Sequence, residues 1–352
     1  MAATSRAPFL RTSERRSFKR CPQQWWWGYR EGLRAPGHKA DALWFGTGIH
    51  LALAERYKYK GLRRGTNVLK VWREYVNDEI AFVRTLPIGN LVDEEPVWED
   101  ARSLGESMLG GYLDTYGKDS RWHFISVEQT FTMDIPRPGA WAKAVPRPLK
   151  SGHSRPTLVN YVGTFDGVAR DLESAHEDPW LFEHKTAKAI MLNHLSLDDQ
   201  AGSYWAVANE VLRAQKLIGP HDYLEGIQYN FLRKSKADDR PTDDRGQSLN
   251  KDGSVSKVQP SPRYVREPVT RTRAEVRTQF ARIQAEALHM EAVRNKSLPL
   301  FKNPTADCSW GCAFHAMCEL HESGDSADYR EYRDAMFKAQ DPYADHHKST
   351  EE

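Results

Sequence analysis

Two sets of residues in this chain have the types and spacing to do chemistry. The first is centred on Trp180-Leu-Phe-Glu-His-Lys-Thr186, where Glu183 and Lys185 stand two apart. On a strand both side chains leave the same face, with Leu181, while Phe182 leaves the other. A carboxylate among apolar neighbours is costly unless it is paired or coordinates a cation. Asp166, in Val162-Gly-Thr-Phe-Asp-Gly-Val168, falls on the preceding strand, with glycines on either side that leave room for close backbone approach. Two carboxylates on neighbouring strands repel unless a divalent cation lies between them. Mg²⁺ suits such an oxygen-rich site. His50, in Gly46-Thr-Gly-Ile-His50, would add an imidazole ligand. The plainer alternatives are a structural Glu183–Lys185 ion pair and a hydrogen-bonded core histidine.

The second set is the whole cysteine complement. Cys308, Cys312 and Cys318 lie within eleven residues, in Asp307-Cys-Ser-Trp-Gly-Cys-Ala-Phe-His-Ala-Met-Cys318, and Cys21 lies near the N-terminus. Three clustered thiols and one remote thiol point to a tetrahedral metal site. Zinc and an iron-sulfur cluster compete for it, but spacings of three and five intervening residues are unlike the paired Cys-x₂-Cys knuckles of a zinc ribbon. Beside Cys21 stand Trp25, Trp26, Trp27 and Tyr29, either packing around that site or stacking single-stranded bases.

Elements must hold these residues in place. Apolar residues at helical spacing predict helices over 41–59, with Leu43, His50, Leu53, Ala54 and Tyr57 on one face, over 68–83, and over 101–116. A two-residue period predicts strands over 124–133 and 158–170, and further strands over 180–186 and 226–233. Between the last two, a helix over 197–216, started by a Ser196/Asp199 capping box, makes a βαβ crossover. Segments 135–156 and 235–262, rich in turn formers, read as loops or disorder, and the tail after Gln340 as mobile.

The ordered series of Gly46-Thr-Gly-Ile-His50, Gly163-Thr-Phe-Asp166-Gly, Glu183-His-Lys185 and Gln200-Ala-Gly-Ser-Tyr204 resembles the PD-(D/E)XK nuclease superfamily. Within it, the likeness is to the RecB-like and CRISPR-associated exonuclease branch. Phe165 stands where the family name has a proline, which supplies no metal ligand. The resemblance implies an α/β fold, a central mixed sheet flanked by helices, with a helical N-terminal part and an iron-sulfur clasp. It implies that His50, Asp166, Glu183 and the backbone carbonyl of His184 hold Mg²⁺ or Mn²⁺, that Lys185 orients or activates the attacking water, and that Gln200 and Tyr204 border the site and help place DNA. One cysteine before these motifs and three after resembles the clasp of the same branch, which implies a [4Fe-4S] cluster on Cys21, Cys308, Cys312 and Cys318. The chain then divides into a helical part (1–120), a nuclease core (121–298), a clasp (299–325) and an acidic tail (326–352). The implied activity is metal-dependent exonuclease action on single-stranded or frayed DNA ends, with recombination or CRISPR-adaptation proteins as partners. The alternatives are a DNA-end-binding or assembly protein with the same fold, and a zinc-clasped nuclease.

Composition bounds this reading. The 352 residues carry 50 Lys+Arg against 48 Asp+Glu, so net charge alone gives no hint of a polyanionic partner. The balance is a sum of opposites: residues 1–20 carry six basic residues against one acidic, segment 257–282 seven against two, and residues 319–352 four against ten. The helix expected to start near Thr270 or Thr272 is either phosphate-facing or an ordinary solvated helix. No apolar run approaches the roughly 18 residues of a membrane span. The first residues lack the apolar core of a signal peptide, so a cytoplasmic protein is expected. The absence of a Gly-x₄-Gly-Lys-Ser/Thr loop argues against ATP use.

Overall fold

A computed structural model describes residues 7–35, 41–58, 67–85, 95–138 and 156–344. Runs of β-branched and aromatic residues build a six-stranded mixed sheet. Its longest strands, β3 (Trp122–Pro136) and β4 (Thr157–Asp171), pair antiparallel, and most of the expected loop between them lies outside the described residues. The other edge of β4 is shared. Its first half pairs in parallel with the short β1 (Phe9–Leu10), and its last residues, Gly167 to Arg170, pair antiparallel with β5 (Pro179–Ala187). Parallel pairing of β5 with β6 (Gly226–Arg233) through the helix Asp199–Ala214 gives the expected crossover. β7 (Tyr264–Val269) closes the sheet antiparallel to β6.

One face of the sheet is covered by α3 (Ala42–Tyr57), α4 (Val68–Val83) and α5 (Glu95–Tyr116). Ile49, Leu53, Trp72, Val76, Met108 and Phe182 form the core there. Full burial of each aliphatic or Phe side chain is worth about 1.5–3 kcal/mol, and Trp72→Ala would cost roughly 3–5 kcal/mol. The other face is covered by α6 (Asp199–Ala214) and α7 (Arg273–Arg294), packed through Phe131, Phe165, Trp205, Tyr229 and Ile283. The ends of the chain meet beside this core. From the N-terminal side come α1 (Thr12–Arg20), α2 (Pro22–Trp25), a π-helical turn (Trp26–Arg30) and β2 (Leu33–Arg34). From the C-terminal side come α8 (Cys308–Gly311), α9 (His315–Ser323), α10 (Ser326–Met336) and β8 (Lys338–Ala339), which pairs with β2.

The structure corrects several local expectations. α3 is capped by the Asp41 carboxylate, which accepts from the N–H groups of Leu43 and Trp44, but its core stripe runs through Phe45, Ile49, Ala52 and Leu53. Leu43 is 78% exposed, and His50 lies at the margin of the stripe. A 3₁₀ turn at Leu195–Leu197 delays α6, so its cap is Asp198, accepting from Gln200 and Ala201, rather than a Ser196/Asp199 box. The start of α7 follows the sequence signal: Thr272 and Glu275 form a reciprocal capping box. The basic segment around it is partly spent internally. Arg263 donates to Ser107, Arg266 to Asp119, Arg271 to the Asp198 carbonyl and Arg282 to Gln279.

Trp25 and Trp27 are buried, so neither is available as a stacking platform. Trp25 donates its indole N–H to Glu14, and Trp27 packs with Leu33, Phe314, Met317 and Phe337. The segment 235–262 is a loop pinned by two isolated bridges, Thr242 with Ser248 and Leu249 with Val255. The first part of the tail is packed: Phe337 and Tyr343 are buried, and the Tyr343 hydroxyl bonds Glu14. The rest of the tail, 345–352, lies outside the described residues. Among the described residues, no helix is long and apolar enough to cross a membrane.

Candidate active site and cysteine cavity

The site lies where β4 and β5 part. Their backbone pairing ends at Gly167 opposite Phe182. Beyond it the His184 N–H donates to the Asp166 carboxylate (2.7 Å) instead of to a strand carbonyl. A side chain thus takes over a ladder bond and holds the fork open. The glycines flanking Asp166 serve a different purpose from the one expected. A Cβ on Gly163 would lie 2.9 Å from the rings of Phe131 and Tyr204, and one on Gly167 would lie 2.6 Å from Phe124, so aromatic packing fills that space.

Asp166 meets His50 of α3, with His50 Nδ1 3.4 Å from its Oδ1. The third member is Glu128, which the sequence reading missed. In the β3–β4 register Val127 faces Gly167 and Gln129 faces Phe165, so Glu128 falls opposite Asp166. Its backbone is left-handed (φ 45°), costly for a residue with a side chain and most often retained at functional sites. Ligand atoms of His50, Glu128 and Asp166 lie within 4.8 Å of one another, a set of one imidazole and two carboxylates. Glu128 Oε1 is buried with no hydrogen-bond partner. An orphaned carboxylate oxygen beside a second carboxylate is the arrangement a divalent cation relieves, so the residues present fit Mg²⁺ or Mn²⁺.

The charges of this trio set one another. Burial, reinforced by the Asp166 charge, pushes the Glu128 carboxyl up to about 7. Burial opposes ionisation of His50, but the Asp166 charge and hydrogen bond prevail and hold its pKa up at about 9. Asp166 moves the other way, because His50 and the His184 N–H outweigh its burial.

Glu183, 4% exposed, forms the other half of the site. It accepts from Lys185 Nζ at 2.5 Å, and the same ammonium reaches Gln200 Oε1 at 3.2 Å. Burial raises the Glu183 pKa, with Lys185 opposing and Asp166 reinforcing the shift. Burial also works against the Lys185 ammonium, yet the Glu183 charge keeps it above the ordinary lysine value. Gln200 occupies the first turn of α6, whose start is held by Asp199 accepting from Arg15 (3.0 Å), Lys19 (2.5 Å) and Gln279 (2.7 Å). Tyr204, one turn on, packs edge-on against Phe131 and Phe165. The fork therefore gathers His50, Asp166, Glu183, His184, Lys185 and Gln200 in one place, with Tyr204 behind them. It also pairs Glu183 with Lys185 and gives Glu128 the place beside Asp166.

All four cysteines line one cavity of about 330 Å³, together with Arg20, Trp27 and Lys302. No disulfide joins them. The Asn303 N–H points at Cys21 Sγ (3.4 Å) and the Thr305 N–H at Cys308 Sγ (3.3 Å).

No curated protein matches the chain. The family model of the PD-(D/E)XK nuclease superfamily matches residues 12–319, a span that begins with α1 and takes in the fork, α6 and every cysteine. With most of its length matched, the chain belongs to this superfamily of metal-dependent nucleases.

Proposed function

We propose that the protein is a DNA exonuclease of the RecB-like, CRISPR-associated branch, dependent on Mg²⁺ or Mn²⁺, acting on single-stranded or frayed ends and carrying a structural [4Fe-4S] cluster on Cys21, Cys308, Cys312 and Cys318. The observation that carries the reading is the junction of two unlike half-sites at the fork: a cation-binding trio, and an ammonium held by one carboxylate and one amide. A structural ion pair would account for Glu183 and Lys185, but not for His50, Glu128 and Asp166 beside them. The exonuclease activity and the branch rest on the resemblance of the ordered motifs and the cysteine pattern, and the cluster also on the one cavity that all four cysteines line.

In this reading His50, Asp166 and Glu128 hold the cation, with Glu183 and the His184 carbonyl at its border. A bound divalent ion polarises the scissile phosphate and lowers the pKa of water. Lys185 offsets the charge that develops on the phosphate and orients the attacking water, while Glu183 and Gln200 hold the ammonium in place. Asp166 keeps the fork open through its bond from the His184 N–H. The cluster closes a loop of nearly 300 residues between Cys21 and Cys308 and so docks α1 against α6.

The test is digestion of end-labelled single- and double-stranded DNA by anaerobically purified protein with Mg²⁺ or Mn²⁺, comparing wild type with Glu183→Ala and Lys185→Ala. Label released as short products by wild type, and by neither variant, is the expected result. Variants that digest like wild type overturn the site. A wild type that binds DNA ends without cutting, its cluster intact, favours the DNA-end-binding alternative, and a colourless preparation containing zinc overturns the iron-sulfur assignment.

A further inference from the structure

Behind the fork, on the face covered by α3 and α5, a row of polar side chains crosses three adjacent strands. His184 of β5 stands beside Asn230 of β6, and Asn230 beside Arg266 of β7. His184 and Asn230 are 2% and 0% exposed, amid an otherwise apolar core. Such a row weakens a core unless every group is satisfied, and here the members satisfy one another. Arg266 grips both oxygens of Asp119 (2.7 and 2.6 Å) and donates to the hydroxyls of Tyr112 (2.9 Å) and Tyr57 (3.1 Å). Tyr57 donates to Asp119 at 2.8 Å, and Asp119 itself has a left-handed backbone (φ 52°). Side chains from α3, α5, the α5–β3 turn and β6 thus converge on the guanidinium that β7 supplies.

The row has a direction, fixed by which groups can only donate. Arg266 Nε lies 3.3 Å from Asn230 Oδ1, and a guanidinium has no acceptor, so the amide oxygen faces Arg266. The amide nitrogen then faces the Tyr112 hydroxyl (2.9 Å) and His184 Nδ1 (2.8 Å). His184 Nδ1 must accept, which assigns the ring proton to Nε2. The Tyr57 ring lies within 12° of parallel to the imidazole, with ring centroids 6.1 Å apart. His184 is therefore clamped at its ring, and its peptide donates to Asp166 on one side of the fork.

We infer that Asn230 and Arg266 are positioning residues of the cation site, acting through His184 to set the peptide that orients Asp166. The inference rests on the metal-dependent nuclease reading. Neither residue touches the trio. Their effect is on how closely Asp166 is held where His50 and Glu128 can share a cation with it, the kind of support whose loss weakens metal affinity by about 10- to 100-fold.

The test measures Mn²⁺ binding to DNA-free protein by electron paramagnetic resonance, with thermal melting in parallel, for wild type, Asn230→Asp and His184→Phe. Asn230→Asp keeps volume and a partner for Arg266 but presents an acceptor to His184 Nδ1. His184→Phe removes the clamp point while leaving the peptide. Both are expected to bind Mn²⁺ about tenfold more weakly per folded molecule. In cleavage the defect should read as a raised half-saturating Mn²⁺ concentration that excess Mn²⁺ recovers. If either folded variant binds Mn²⁺ as wild type does, or if only the melting temperature falls, the inference is overturned. A folded wild type that binds no Mn²⁺ overturns the metal-site reading as well, so the two failures are distinguishable.

Discussion

The fork between β4 and β5 and the cysteine cavity both assemble side chains from distant parts of the chain, by opposite means. In the fork, Asp166, Glu183 and Glu128 ride on strands whose register places them, and His50 and Gln200 on sixteen-residue helices. In the cavity, Cys308 opens a four-residue helix, Cys312 follows its end, and Cys21 lies between two short helices. The fork is organised by hydrogen bonds and charges that the chain supplies. The cavity brings four half-exposed thiols together around a space the chain leaves open. The first should keep its shape when emptied, whereas the second should depend on what fills it.

Changes in the fork should therefore cost activity, and changes in the cavity stability. The largest expected effect is that of Lys185→Ala, which should lower DNA cleavage by about 10²–10³-fold, since it removes a charge aimed at the reacting phosphate. A large drop in melting with cleavage retained would break the contrast. Next is Cys21→Ser, which should abolish bound iron and destabilise the protein by about 3 kcal/mol, roughly 4 °C in melting temperature, by releasing the long loop. Calorimetry and iron analysis check both parts, and an unchanged melting temperature would make the cavity as self-sufficient as the fork.

Between the two regions lies the ion-paired contact of α1 with α6. Asp199 is held down at about 2: burial works against its charge, but Arg15 and Lys19 prevail. A lowered acid stabilises the fold above its unfolded pKa, near 3.8, and this support is lost as pH falls through about 2. Asp199→Asn should thus cost about 1–2 kcal/mol from pH 5 to 8, with the deficit shrinking below about pH 4 in acid-unfolding curves. A deficit independent of pH would assign Asp199 a role other than ion pairing. The smallest effect is expected from Glu128→Gln, which should raise the Mg²⁺ concentration for half-maximal cleavage about tenfold. An unchanged metal requirement would leave Glu128 as a bystander.

How much of this was legible in the sequence follows the same division. The crossover through α6 and the Thr272 cap could be read because their signals are local: apolar periods, and a Thr followed three residues later by Glu. Glu128 could not. By alternation it belongs to the face opposite Val127 and Gln129, and no residue type there announces a left-handed backbone or the bulge between Phe124 and Ser126. α1 also escaped, since its buried residues are Thr12, Glu14 and Arg15, and it is held by ion pairs rather than an apolar stripe. β7 was missed for a related reason: Arg266, Glu267 and Pro268 give it no apolar alternation, yet Arg266 is the hub of a buried network. The order of His50, Asp166, Glu183 and Lys185 along the chain suggested that they meet, and the two-residue spacing of Glu183 and Lys185 on one strand suggested their ion pair.

The central claim is that the fork binds a catalytic divalent cation between His50, Glu128 and Asp166. Crystals of the protein soaked in Mn²⁺ and measured for anomalous scattering test it most directly. The account predicts one strong peak bounded by these three side chains, lost in Asp166→Ala. No peak at the fork, with Mn²⁺ bound elsewhere, would contradict it.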